Sequence, residues 1–134
     1  MNLQVHNRLT LDLSKNLILD MEAKELGAGL KTFSGLKQLV LVLEGCELGD
    51  EGIIYLEDAV LSMDNLQNLK LNVVKNGLTD ETLARIMNQL NLMPSLDHLE
   101  FNARKNAWVT DKQRELLSDT VCSMQNFVTK KTEF

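Results

Sequence analysis

Two histidines and two cysteines are the residues of this chain best suited to hold a metal or act as nucleophiles: His6, His98, Cys46 and Cys122. A zinc site needs three or four such ligands converging on one point, and a reactive thiol needs an electropositive, accessible setting. No Cys-x-x-Cys pair and no paired-His helical motif occurs, so these residues meet neither condition by spacing. Two glycine groups raise the question of a phosphate loop. Gly27 and Gly29 lie in Glu25-Leu26-Gly27-Ala28-Gly29, and Gly45, Gly49 and Gly52 surround Asp50 and Glu51. The second group sets two carboxylates where a phosphate would need positive charge and is not followed by the Lys-Ser or Lys-Thr of a P-loop, while Gly27 and Gly29 fall inside the first outer helix, aligned with Glu57 and Ala59, where they are expected to serve close packing. No Ser, His and Asp set has the spacing of a hydrolase triad. The expectation is a protein that is not an enzyme and carries no cofactor.

The elements that position these residues come from a repeat. Leu36, Leu39, Leu41, Leu43, Cys46 and Leu48 are followed thirty residues on by Leu66, Leu69, Leu71, Val73, Asn76 and Leu78. A further period brings Leu96, Leu99, Phe101, Ala103, Asn106 and Trp108, and one period earlier stand His6, Leu9, Leu11, Leu13, Asn16 and Ile18. A fixed period of this length marks a solenoid. Within each turn, alternation such as Leu39, Leu41, Leu43 predicts a half-buried strand. The spacing Ile53, Leu56, Val60, and then Leu83, Ile86, Met87, Leu90, predicts a helix behind it. Asp20, Asp50, Asp80 and Asp111 precede the helices as expected N-caps, and Gly35, Asn65 and Pro94 separate helices from the next strands. A strand and helix of this size cannot bury an apolar side alone, so the turns must stack. The fold class is therefore α/β, a single solenoid domain over 1–134. Its four turns run approximately 6–35, 36–65, 66–95 and 96–126, with a parallel sheet on the concave face and helices on the convex face. Asn16, Cys46, Asn76 and Asn106 form a structural ladder that satisfies backbone groups where the chain turns inward.

Leu-x-x-Leu-x-Leu followed by Cys or Asn, then Leu48-Gly49-Asp50-Glu51-Gly52 or Leu78-Thr79-Asp80-Glu81, resembles the ribonuclease-inhibitor-like class of leucine-rich repeats. The likeness covers about residues 6–125. It departs from that class by two extra residues between the leading leucines and the Asn or Cys. The resemblance implies protein binding and supplies no catalytic residue.

Composition agrees with a protein partner. Apolar residues make up 44% of the 134, aromatic residues only 4%, so aliphatic side chains must fill the core. The net charge of −5 opposes a phosphate backbone, which argues against nucleic acid. No apolar run approaches the ~20 residues of a membrane-spanning helix. Two cysteines are too few for a disulfide framework, which points to a reducing intracellular compartment, the cytoplasm in the first instance.

Residues between the inward leucines should line the concave face in columns with neighbours about 4.8 Å apart. The columns read Arg8, Gln38, Asn68, His98; Thr10, Val40, Lys70, Glu100; Asp12, Val42, Asn72, Asn102; and Ser14, Glu44, Val74, Arg104. Val40 and Val42 make an apolar spot beside Lys70, Asn72 and Arg104, a mixture suited to a protein contact. His6 and His98 fall three turns apart, about 15 Å, and cannot share a metal. The candidate partner-binding residues are Leu9, Leu11, Val40, Val42, Lys70, Asn72, His98, Glu100, Asn102 and Arg104. Lys75, Arg104 and Lys105 gather at the strand ends as a small basic spot or a solvated edge.

The ends differ. Lys130 and Thr132 stand where a further turn would need leucines, so the pattern is expected to stop in a polar tail over 127–134. Only residues 1–7 precede the strand of Leu9, Leu11 and Leu13, and that edge is expected to be covered by a partner or by self-association. The leading functional expectation is a small accessory or scaffold subunit of a multiprotein assembly. A free adaptor or an inhibitor-like regulator gripping one protein on the concave face is the alternative. A GTPase-activating protein is a remote third, since one such family shares this repeat type, but no motif here is assignable to that activity.

Overall fold

The structure, a computed structural model, describes residues 7–33, 35–106, 111, 112, 115 and 129–133. Strands β1 (Arg8–Asp12), β2 (Gln38–Val42), β3 (Asn68–Asn72) and β4 (His98–Asn102) alternate with helices α1 (Asp20–Lys31), α2 (Asp50–Leu61) and α3 (Asp80–Asn91), and β5 (Thr129–Glu133) follows. The five strands form one parallel sheet in chain order. Its register repeats the sequence period: Leu9 pairs with Leu39, Leu39 with Leu69 and Leu69 with Leu99. The inward leucines of β2 and β3 are buried against the helices behind them, together with Ile53, Leu56, Val60, Leu83, Ile86 and Leu90. Leu9, Leu11 and Leu13, with no turn beyond them among the described residues, are only half-buried.

Two expectations about the elements need correction. The stretch 127–134 is more than a tail, because Thr129–Glu133 pairs with β4, Leu99 beside Lys130 and Phe101 beside Thr132. A ladder is made by backbone groups and needs no leucine, and threonine suits an extended chain. The aspartates are not N-caps either. Asp20, Asp50 and Asp80 are the first helical residues, and the caps are Leu19, Gly49 and Thr79. Of these only Thr79 caps with its side chain, accepting from the Thr82 N–H. Asp50 instead ties one turn to the next, its carboxylate accepting from the Thr79 N–H at 3.0 Å and the Thr79 hydroxyl at 2.8 Å. All three aspartates still favour the helix start by their charge. Helices α1 and α2 end at Thr32 and Ser62, whose hydroxyls donate back to the Gly29 and Ala59 carbonyls.

The ladder forms, but unevenly. Asn76 is buried, and its Oδ1 accepts from the Cys46 and Leu48 N–H groups at 3.1 and 2.9 Å while its amide donates to the Leu43 and Val73 carbonyls at 2.8 and 2.9 Å. Asn106 repeats this one turn later with the Leu78 N–H and the Val73 and Ala103 carbonyls. Cys46 is fully buried and directs its thiol to the Leu13 carbonyl. Asn16 is exposed and reaches only carbonyls of its own turn. The ladder therefore joins all four turns, through Asn side chains between turns two, three and four and through the Cys46 thiol between turns one and two, and Asn16 has no earlier turn among the described residues to reach.

The helices also pack unevenly. Gly27 of α1 sits against the backbone of α2, where a Cβ would lie 2.6 Å from the Tyr55 carbonyl oxygen. Gly29, expected to serve close packing too, has nothing within 4 Å of that position. Glu57 occupies the position of Gly27 one turn later. Its side chain is 8% exposed and bridges to Arg85 of α3 at 2.8 Å. The burial of Glu57 raises its pKa, an effect the Arg85 guanidinium opposes without cancelling. Beneath this strut runs a narrow apolar seam of about 10 Å³ lined by Ile53, Val60, Ile86 and Leu90.

Candidate functional site on the concave sheet

Alternation along each strand sends every second side chain away from the helices, and the thirty-residue register stacks those side chains into the expected columns. Val40, Lys70 and Glu100 are adjacent, as are Val42, Asn72 and Asn102. Together with the backs of Leu41 and Leu71 they line a shallow hollow of about 150 Å³. Its floor is apolar at Val40 and Val42, both half-buried. One wall is an ion pair, Lys70 Nζ to Glu100 Oε2 at 3.4 Å, with the side chains 62% and 40% exposed. A pair so exposed adds little stability.

The third column has a local task as well. Asp12, Asn72 and Asn102 each accept, through Oδ1, the N–H two residues on, at Ser14, Val74 and Arg104. These Asx turns lead the chain out of each strand. Asp12 also accepts from the Ser14 hydroxyl at 2.6 Å, and these two bonds hold its carboxyl below the usual pKa. Val42 cannot make such a bond, so the second turn carries a bare methyl pair where its neighbours carry a capping oxygen. The next position but two, Lys15, Gly45, Lys75 and Lys105, takes the left-handed conformation in every turn, with φ of 60°, 65°, 54° and 61°. Glycine adopts it freely, whereas the three lysines are strained there.

Of the ten candidate residues, six line the hollow: Val40, Val42, Lys70, Asn72, Glu100 and Asn102. His98 lies outside it, exposed at the start of β4 beside Asn68. Arg104 is exposed at the opposite end of the strand, its Nε donating to Asn102 Oδ1 at 3.3 Å. Leu9 and Leu11 point into the open end of the core, away from the concave face. Lys75, Arg104 and Lys105 are exposed at the strand ends. His6, Trp108 and Cys122 fall outside the described residues. Among the described residues no group of three or more His, Cys, Asp or Glu is placed to hold a metal ion, and no helix is long and apolar enough to cross a membrane.

One feature of the surface escaped sequence reasoning. Leu17 and Leu19, in the loop that leads into α1, and Met21, in the first turn of that helix, are 60%, 46% and 65% exposed. The signal was available in the repeat itself. The same positions hold Glu47, Gly49 and Glu51, then Gly77, Thr79 and Glu81, so the first turn is apolar there where the second and third are not.

Sheet, helices and ladder define a leucine-rich-repeat-like α/β solenoid with a parallel sheet on one face and helices on the other. Solved structures share it. Leiomodin-1 actin-binding site 2 superposes with a TM-score of 0.65 at 12% identity, over 96% of this chain and 70% of that one. The tropomodulin C-terminal domain of Caenorhabditis elegans superposes with a TM-score of 0.62 at 14% identity, over 93% of this chain and 74% of that one. Identities this low establish the fold alone. No protein-family model matches the chain, and no curated protein is similar to it in sequence.

Proposed function

We propose that this chain is a non-catalytic protein-binding module, a small accessory or scaffold subunit of a multiprotein assembly, and that it holds its partner in the concave hollow. The observation that carries this is the pairing of Val40 and Val42 with the flanking Lys70–Glu100 ion pair on a rigid sheet. An apolar centre with a charged rim is the anatomy of a protein contact. A hollow of about 150 Å³ is too small and open for a drug-sized ligand, whose sites run to ~300 Å³ or more. The similar leiomodin-1 structure is that of an actin-binding site, which makes filamentous and monomeric actin the first partners to test. A reducing intracellular compartment, the cytoplasm before others, suits the buried free thiol of Cys46.

The experiment is the native size of the endogenous chain in a gentle lysate, by size-exclusion chromatography with mass spectrometry of its fraction. Elution in a large particle, at fixed ratio and through high salt, supports the subunit reading. Val42→Arg should then release the chain while leaving it folded. Elution of the wild type at the size of a free chain or its dimer overturns the reading in favour of an exchanging adaptor.

A further inference from the structure

Strand β1 forms one edge of the described sheet. In a parallel ladder, successive residues aim their backbone groups alternately at the neighbouring strand and away from it. The Asn7 carbonyl accepts from the Lys37 and Gln38 N–H groups at 2.8 and 2.9 Å, and the Leu13 N–H donates to the Val42 carbonyl at 2.9 Å. The odd-numbered residues therefore face β2, and the N–H and C=O groups of Arg8, Thr10 and Asp12 face the open edge. The side chains of these three residues are exposed on the concave side, and Arg8 makes no ion pair among the described residues. On the other side Leu9, Leu11 and Leu13 are half-buried where their counterparts Leu39, Leu41 and Leu43 are fully buried. The same end of the solenoid carries the exposed Leu17, Leu19 and Met21. Such an edge is a template for another strand.

The sequence of the edge indicates which strand. Arg8-Leu9-Thr10-Leu11-Asp12 is self-complementary about its middle. We propose that the edge is occupied by a second copy of this chain, β1 pairing antiparallel with β1 of that copy about a two-fold axis at Thr10. In this register the residues with outward backbone groups fall in hydrogen-bonded pairs, Thr10 opposite Thr10 and Arg8 opposite Asp12 of the second copy, each exchanging both of its bonds. The guanidinium of Arg8 meets the carboxylate of Asp12 twice, once on each side of the axis. On the core side Leu9 lies opposite Leu11 of the second copy, and the two half-covered cores close on each other. A slip of one residue would set backbone groups already committed to β2 against the new strand, and a slip of two would part Arg8 from Asp12 on both sides of the axis, so backbone and charge together select this register. The two concave sheets join edge to edge, and the hollow of each copy stays open, so this inference stands apart from the partner proposed for it.

The test is the mass of the full chain by light scattering or sedimentation at tens of micromolar. The wild type should weigh twice its 15.1 kDa. Thr10→Pro should be monomeric with an unchanged circular dichroism spectrum, because the N–H it removes faces the open edge and the ladder to β2 survives. Arg8→Asp and Asp12→Arg each set like charges opposite one another and should weaken association about tenfold or more. Mixed in equal amounts the two variants are complementary again and should recover the dimer, a result that no loss of folding can imitate. A wild type that stays at 15.1 kDa overturns the proposal. So does a folded Thr10→Pro dimer, a mixture that gains nothing over its parts, or a wild-type mass that climbs past the dimer with concentration, as open head-to-tail stacking would produce.

Discussion

Replacing Asn76 with alanine should destabilise the fold more than truncating any other side chain of the ladder. The structure sets the scale. Asn76 satisfies two buried N–H groups, of Cys46 and Leu48, and donates to the Leu43 and Val73 carbonyls. Alanine leaves the two donors without partners, and each buried orphan costs ~1–3 kcal/mol. The carbonyls lose less, since each keeps a second lone pair for other bonds. The loss should be about 4 kcal/mol, a large part of the ~5–15 kcal/mol that holds a domain together. Asn106 serves one such donor, the Leu78 N–H, so its alanine variant should lose about 2 kcal/mol. Asn16 is exposed and serves no N–H of a neighbouring turn, so Asn16→Ala should stay within about 0.5 kcal/mol of the wild type. Urea unfolding followed by circular dichroism ranks the three, provided the slope with denaturant is unchanged. Amide exchange should quicken at Cys46 and Leu48 in the first variant. If Asn76→Ala loses under 1 kcal/mol, or Asn16→Ala loses as much as Asn76→Ala, the reasoning from orphaned donors is wrong.

Other expectations follow from the same geometry. Gly27→Ala should cost about 2 kcal/mol or more because its Cβ would strike the Tyr55 carbonyl, whereas Gly29→Ala should gain about 0.5–1 kcal/mol in a helix with open space beside it; thermal melts of the pair decide. Lys75→Gly and Lys105→Gly relieve left-handed strain and should each raise stability by up to about 1 kcal/mol, and a loss instead would mean that their side chains matter to the fold. The raised pKa of Glu57 means that its contribution to stability is present at acid pH and is lost as pH climbs above the usual glutamate range. The stability of the wild type minus that of Glu57→Gln should therefore fall with rising pH, and a difference that grows would refute the sign. Asp12 acts oppositely, its contribution being lost as pH falls through its lowered pKa, so Asp12→Asn should flatten the acid limb of the stability profile.

The strands, the helices and the core were legible because each inward leucine recurs at the same offset, and burial of that stripe leaves a single way to stack the turns. The Asn76 and Asn106 ladder was legible for the same reason. What escaped was decided between turns rather than within one. Asp50 reads as a cap from its own turn, and only the neighbouring loop shows that it holds Thr79. Strand β5 has no apolar alternation to announce it, because its backbone alone makes the pairing. Six candidate residues do meet in one hollow, since columns follow from register. Asn72 and Asn102 prove to be shared between that surface and their own turns, which spacing could not reveal.

The unequal packing of the helices places the mechanical compliance of the solenoid. The sheet is hydrogen-bonded alike on both sides of β2, so any difference in stiffness arises behind it. Between α1 and α2 the Gly27 contact is backbone against backbone and has no slack. Between α2 and α3 stands a strut of two long side chains over a thin apolar seam, and long side chains can swing. The first two turns should therefore move as one block, with any joint behind Val40 and Lys70. A partner seated in the hollow would meet a cleft whose width is set by a hinge on its far side, so binding and the angle between α2 and α3 should report on each other.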